Sequence, residues 1–254
     1  MIQSIGIIGS GNVATNLALS SYEQGIKIEF IYSKTRNNQI ELAEQVNAET
    51  PIDIDKLPET DAIFICVNDD QIESVSDQLS GKNALIVHCS GTVDINALNA
   101  NKKRGVYYPF QSISKSSRTN WKKVPILIES NNENELDELK TLAEKFSDSV
   151  VHADSNQRKH LHLSGVLMNN FTNHLAVLSR KVLKDSQLPP ELLNSILEDT
   201  VHKITTGNPE EIQTGPAIRN DEKTIVSQLQ LLEHNKELKK LYQLFTESIQ
   251  RTHS

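Results

Sequence analysis

The sequence predicts an α/β chain, an N-terminal doubly wound, mostly parallel sheet followed by an all-helical C-terminal part. Three observations carry that expectation. Short apolar runs alternate with helical patterns over residues 1–150. After Asp154 no run reads as a strand, and helical periodicity continues to the end. A glycine turn, Gly9-Ser10-Gly11, joins the first apolar run to the first helical pattern.

The elements follow in order. Residues 4–8 read as a fully buried strand and residues 12–24 as the helix after it. Residues 26–32 form the second strand and 39–46 the next helix. The run DAIFICV, 61–67, is a buried strand followed by a helix over 71–79, and ALIVHC, 84–89, is another strand. Residues 106–108 and 125–129 are shorter strands. A charged amphipathic helix over 133–146 leads to a last strand at 150–152. Residues 155–184 then carry Leu163, Leu167, Phe171, Leu175, Leu178 and Val182 at steps of three or four, about 45 Å of continuous helix. Beyond the Leu188-Pro189-Pro190 corner lie helices over 191–205, 221–233 and 236–251, with a Thr214-Gly215-Pro216 loop between the first two. The expected domains are 1–153 and 154–254.

Bulk properties exclude several classes. A net charge of −7 argues against a nucleic-acid binder, which needs a basic face. No apolar run approaches the roughly 20 residues that span a bilayer, and the opening MIQSIGIIGSGN lacks the basic stretch of a signal peptide. Cys66 and Cys89 both lie in strand-like apolar runs, so a disulfide framework is not expected and a cytoplasmic location fits. Neither has metal-ligand spacing, so no metal site is expected.

Gly9-Ser10-Gly11-Asn12-Val13-Ala14 is a G-x-G-x-x-A fingerprint between a buried strand and a helix. Gly9 permits the tight turn, Gly11 lets backbone approach a pyrophosphate, and Ala14 keeps the helix close to the sheet. With Ser10, Asn12 and Val13 these form the expected cofactor loop, its phosphates at the positive end of the helix. Choice of dinucleotide is read at the end of the second strand. Tyr32-Ser33-Lys34-Thr35-Arg36 offers no acid for a ribose 2′-hydroxyl. Ser33, Lys34, Thr35 and Arg36 suit a 2′-phosphate, favouring NADP, with NAD as the other possibility and a solvated basic loop as the competing account. Ligands of open α/β sheets bind at the carboxyl ends of strands. That rule nominates Val67 and Asn68, then Ser90 and Gly91, for the cofactor, and Tyr108 and Gln111 for substrate. Each segment is also ordinary turn chemistry, and Asp70 is expected to cap the following helix.

The start of the long helix is oddly polar. At about 100° per residue His162 and Asn169 lie within roughly 20° of each other, with Asn170 about 80° away. His162 could give a proton near neutral pH, while Asn169 or Asn170 could orient a carbonyl or imine. Buried interhelical hydrogen bonding is the equal alternative. Gly165 would let a ligand approach the helix backbone, and His160 points elsewhere, toward the surface. In Thr214-Gly215-Pro216-Ala217-Ile218-Arg219-Asn220-Asp221, Arg219 could hold a substrate carboxylate, with a plain surface role as the equal alternative, and Asp221 could orient Arg219 or, the stronger reading, cap the next helix.

On G-S-G-N-V-A at Gly9 to Ala14, V-H-C-S-G at Val87 to Gly91, Y-P-F-Q-S at Tyr108 to Ser112, Arg158, His162, Asn170 and T-G-P-A-I-R-N-D at Thr214 to Asp221, nearly the whole chain resembles one family. That is the Rossmann-like family whose C-terminal half is the domain of unknown function 2520, related to pyrroline-5-carboxylate reductase and the β-hydroxyacid dehydrogenases. The family usually has His where this chain has Tyr108, and Gly where it has Asn220. The dehydrogenases carry a catalytic Lys on the corresponding helix, whereas Lys159 is off the His162 face. The resemblance implies an NADP-dependent oxidoreductase acting on a small imine, ketone or hydroxy acid at an interdomain cleft, and a homodimer through the helical domain. A non-catalytic dinucleotide-binding redox sensor is the alternative, and a deazaflavin in place of nicotinamide stays open.

Overall fold

The computed structural model describes residues 1–115 and 118–253, and the chain divides into two compact units, Met1–Val166 and Leu167–Ser254. The first unit is a seven-stranded sheet. Its strands are β1 (Ser4–Ile8), β2 (Lys27–Tyr32), β3 (Ala62–Ile65), β4 (Leu85–His88), β5 (Arg104–Pro109), β6 (Ile126–Ser130) and β7 (Val150–His152). They lie in the order β2-β1-β3-β4-β5-β6-β7, all parallel except β5 against β6. The chain reverses direction across the sheet at β1 and β3, which makes their carboxyl ends the place where such folds open a crevice.

The central strands read as unbroken apolar runs because helices cover both faces. Alternate side chains enter opposite cores, as the period of two requires. Ile5, Ile7, Ala62, Phe64, Leu85 and Val87 join one core, and Ile8, Ile63, Ile65 and Ile86 the other. Helix α1 (Asn12–Glu23) lays Ala14, Leu17, Ala18 and Ser21 against the first. Helix α2 (Arg36–Val46) begins before the expected residue 39 because its first turn carries no apolar signal. Gln39 is buried there instead, its amide donating to the carbonyl oxygens of Ile31 (2.7 Å) and Pro51 (2.8 Å). Asp70 does not cap the next helix: it lies inside a 3-10 turn, Asp69–Gln71, and α3 (Ile72–Gln78) follows that turn directly without a side-chain cap. The amphipathic helix is α4 (Glu133–Phe146).

The long helix is not regular. It comprises α5 (Ser155–Gly165), a π-helical stretch at Val166–Phe171, and α6 (Thr172–Asp185). Helix α5 starts in a capping box, the Asp154 carboxylate accepting from Gln157 N (2.8 Å) and the Gln157 side chain from Asp154 N (2.9 Å). It buries Ser155 and Arg158, so the compact boundary falls after Val166 instead of at residue 153. The second unit holds α6, α7 (Leu192–Thr206), α8 (Glu222–Leu231) and α9 (Lys236–Thr252). Among its described residues only Ala217 and Leu232 are buried.

Arg158 ties α5 to the sheet. The side chain has no exposed surface and pairs with Glu129 on β6. Its Nε donates to Ser90 O (3.1 Å), and its Nη2 donates to Val93 O and Ser155 Oγ. Ser155 Oγ in turn donates to the Glu129 carboxylate (2.8 Å) and accepts from Ile95 N (3.1 Å). Removing one member of such a pair strands the other charge, at about 3–5 kcal/mol. Arg158→Met should therefore lower the urea midpoint sharply, and the double variant Arg158→Met with Glu129→Leu should recover part of the loss. Equal midpoints for wild type and Arg158→Met would show that the pair is not holding the fold.

Candidate functional site

At the carboxyl end of β1, Gly9 has φ +124, and a Cβ there would meet Cys66 O at 2.2 Å, so both conformation and space require glycine. A Cβ on Gly11 would meet nothing within 4 Å, and α1 starts beside it with no side-chain cap. Among the described residues no side chain caps this first turn, and uncapped helix amides suit a pyrophosphate. Ser10 is buried with its Oγ 2.8 Å from Ser33 Oγ, which joins the ends of β1 and β2. Asn12 and Val13 begin the helix, and Asn12 Oδ1 accepts from Lys115 N (3.3 Å).

The basic loop after β2 is only partly free. Lys34 Nζ lies 3.4 Å from Gln71 Oε1, spanning the ends of β2 and β3. Thr35 N donates to Ser33 Oγ (3.3 Å). Arg36 turns toward the chain, donating to Thr50 O (2.9 Å) and Thr50 Oγ1 (3.2 Å). Val67 is half-buried and Asn68 exposed at the end of β3. The Cys66 and Cys89 thiols share a hydrogen bond, 3.6 Å from Sγ to Sγ; that bond and burial push the Cys89 thiol well above its ordinary pKa. Both cysteines are free.

After β4 the chain forms a tight turn in which Ser90 Oγ accepts from Thr92 N (3.1 Å) and Val93 N (3.1 Å). Thr92 Oγ1 donates to Asp69, linking the ends of β3 and β4. Gly91 is buried in this turn, and a Cβ on it would fall 2.6 Å from Tyr108 Cζ and 2.7 Å from His162 Nδ1. Its bareness makes room for a side-chain pair. Tyr108, from the end of β5, places its Oη 2.9 Å from Nδ1 of His162 on α5. Burial raises the pKa of the Tyr108 phenol, which stays protonated.

Sequence reasoning had named Tyr108 and His162 separately and did not foresee their contact, because their pairing depends on where the Arg158 bonds place α5. Glu129 went unnamed too; the one signal was a carboxylate closing the apolar run PILIE. Gln111 is exposed beyond β5. At Gly165 the close neighbour is the Phe110 ring, 2.7 Å from a notional Cβ, so that glycine admits an aromatic side chain of the same chain. His160 is exposed, its Nδ1 2.8 Å from Asn156 O. Asn169 and Asn170 are exposed on the π-helical stretch, which interrupts the regular phase behind their expected alignment with His162. In the second unit Arg219 is exposed and Asn220 has φ +51. Asp221 caps α8, accepting from Thr224 N (3.1 Å) and Oγ1 (2.8 Å); these bonds hold its carboxyl below the ordinary range.

Residues 4–91 match the family described as NADP oxidoreductase, coenzyme F420-dependent, and residues 124–249 match the domain of unknown function DUF2520. A provisionally named NADP oxidoreductase from Bacteroides fragilis is 35% identical, with 98% of each chain covered and a TM-score of 0.89. An imine reductase variant from Myxococcus stipitatus, solved with NAD+, is 13% identical, covering 100% of this chain and 96% of its own, with a TM-score of 0.67. A 1-pyrroline-5-carboxylate reductase from Streptococcus pyogenes is 13% identical over 98% of each chain, with a TM-score of 0.60. No curated protein matches the sequence.

His88, under the same turn, is fully buried, and its Nδ1 accepts from Ser90 N (3.2 Å). Burial first, then the Arg158 charge, lowers its pKa from 6.5 to about 3. The folded imidazole is thus neutral where the unfolded one would be protonated. Its contribution to stability is complete above pH 6.5 and is lost as pH falls from 6.5 toward 3, by at most ~1.4 kcal/mol per pH unit. Urea midpoints measured across that window should drop for the wild type and drop less for His88→Gln. Identical pH dependence in the two would remove His88 from the account.

Proposed function

The chain belongs to the family of Rossmann-type NADP oxidoreductases whose C-terminal half is the domain of unknown function 2520, and from that premise we propose that it reduces a small imine or ketone, or oxidises the matching hydroxy acid or amine, with NADP. When bound, the nicotinamide supplies or accepts a hydride. Gly9, Ser10, Gly11, Asn12 and Val13 would hold the pyrophosphate on backbone amides. Ser33 and Lys34, with Thr35 and Arg36 behind them, would meet the 2′-phosphate, an arrangement of hydroxyls and cations that favours NADP over NAD. Val67, Asn68, Ser90 and Gly91 would border the ribose and nicotinamide.

The observation that carries the chemistry is the Tyr108–His162 pair beside Gly91. His162 is assigned as the proton source, Asn169 or Asn170 as the group that orients substrate, and Gln111 and Arg219 as substrate contacts, Arg219 for a carboxylate. The imine class is favoured by two fold neighbours that are imine and pyrroline-5-carboxylate reductases. Mixed with NADPH and a panel of cyclic imines and ketones, the protein should consume the absorbance of the reduced nicotinamide. His162→Ala should slow that turnover by about 100-fold, the scale of a lost general acid. Full turnover by His162→Ala would end its assignment.

A homodimer through the helical unit is part of the same reading. Leu167 (52% exposed), Met168 (61%) and Phe171 (52%) present apolar surface along one stretch, and Leu192, Ile196 and Val201 do so on α7. Large exposed apolar side chains on neighbouring turns of a helix mark an interaction surface, and a second copy would cover them. Sedimentation should give twice the chain mass, and Phe171→Glu should shift the population toward single chains. A monomeric wild type at micromolar concentration would refute the assembly.

A further inference from the structure

We propose that Tyr108 is the last carrier of the proton, its hydroxyl protonating the substrate heteroatom while His162 Nδ1 refills it. The proposal rests on the reductase reading above and adds the route to it. Both atoms lie at the bare Cα of Gly91: a Cβ there would come within 2.7 Å of Nδ1 and 2.8 Å of Oη. The pair is 2.9 Å apart, so a proton crosses it without either ring moving. Burial keeps the phenol protonated until a stronger base appears beside it.

The neighbouring titratable groups are already occupied. On α5, Lys159 Nζ faces Asp94 (3.5 Å) and His160 Nδ1 faces Asn156 O. Asp69 accepts from Thr92, Arg158 is spent on Glu129, and buried His88 is held neutral. Tyr108 and His162 are left to share a mobile proton.

The step balances. With His162 as imidazolium, Nδ1–H donates to Oη and the phenol hydrogen turns to the substrate. A bound reduced nicotinamide would supply the hydride to the electrophilic carbon, and the C=O or C=N π pair would move onto the heteroatom. That atom takes the Oη proton, and Oη takes the Nδ1 proton. The products are alcohol or amine, oxidised cofactor, an intact phenol, and neutral His162 protonated at Nε2 with its Nδ1 accepting from Oη.

Tyr108→Phe keeps the ring and removes the hydroxyl. It should lower kcat by about 100-fold with KM for NADPH changed less than about threefold. The wild-type rate should show a curved proton inventory in mixed H2O and D2O, because two protons are in flight. Independently of turnover, 15N spectra of the neutral imidazole should place the proton on Nε2, and the Nδ1 signal should move in Tyr108→Phe. A kcat within threefold of wild type, a linear inventory, or an Nδ1 signal unmoved by the substitution overturns the relay. A wild type that oxidises no NADPH across the panel overturns the reductase reading and the relay with it, whereas normal turnover by Tyr108→Phe overturns the relay alone.

Discussion

Arg158 is a cation with no exposed surface, and the neighbouring elements are arranged around its need for partners. It takes a carboxylate from β6, carbonyls from the turn after β4, and the hydroxyl of Ser155 on its own helix. A buried guanidinium left short of acceptors would be strongly destabilising, so the three elements are held to one mutual placement. His162 lies one helical turn beyond Arg158 on the same face. Fixing the first therefore fixes the second, and it is in that placement that Nδ1 meets the Tyr108 hydroxyl.

The same cation shapes the electrostatics of the turn. It depresses the proton affinity of His88 and opposes the rise that burial brings to the Tyr108 phenol. Asp69 works the other way on both groups, and Asp94 does so on His88. The resulting balance leaves a neutral His88 that can accept from Ser90 N and a neutral phenol that can donate. Neither group could do so in its charged form, because imidazolium has no acceptor and phenolate no proton.

What the sequence disclosed follows from how each feature is encoded. The sheet was legible because strands covered on both faces read as apolar runs: β3 is apolar throughout, and β1 and β4 are but for Ser4 at the start of one and His88 at the end of the other. The turn after β1 was legible because Gly9, at φ +124 and with Cys66 O where a Cβ would stand, is demanded by local backbone geometry. The start of α2 was not, since its buried Gln39 is satisfied by carbonyls distant in the chain. The π-helical stretch was hidden because apolar residues at steps of three or four read alike in either helix. The Tyr108–His162 contact joins residues 54 apart through a third residue's ion pair, and no local pattern records that.

The two halves of the first unit's site are therefore built on different principles. The cofactor half is made largely of backbone: a positive-φ glycine, uncapped helix amides and the Ser10–Ser33 hydroxyl bridge. The half proposed to react is made of side chains from β5 and α5, converging on a glycine of the turn after β4 with no room for a methyl group. Its geometry is carried by a buried ion pair that takes no part in the chemistry. On the proposed relay, a substitution at Glu129 or Ser155, neither of them in the Tyr108–His162 pair, would act through the position of α5, which their bonds with Arg158 hold against β6.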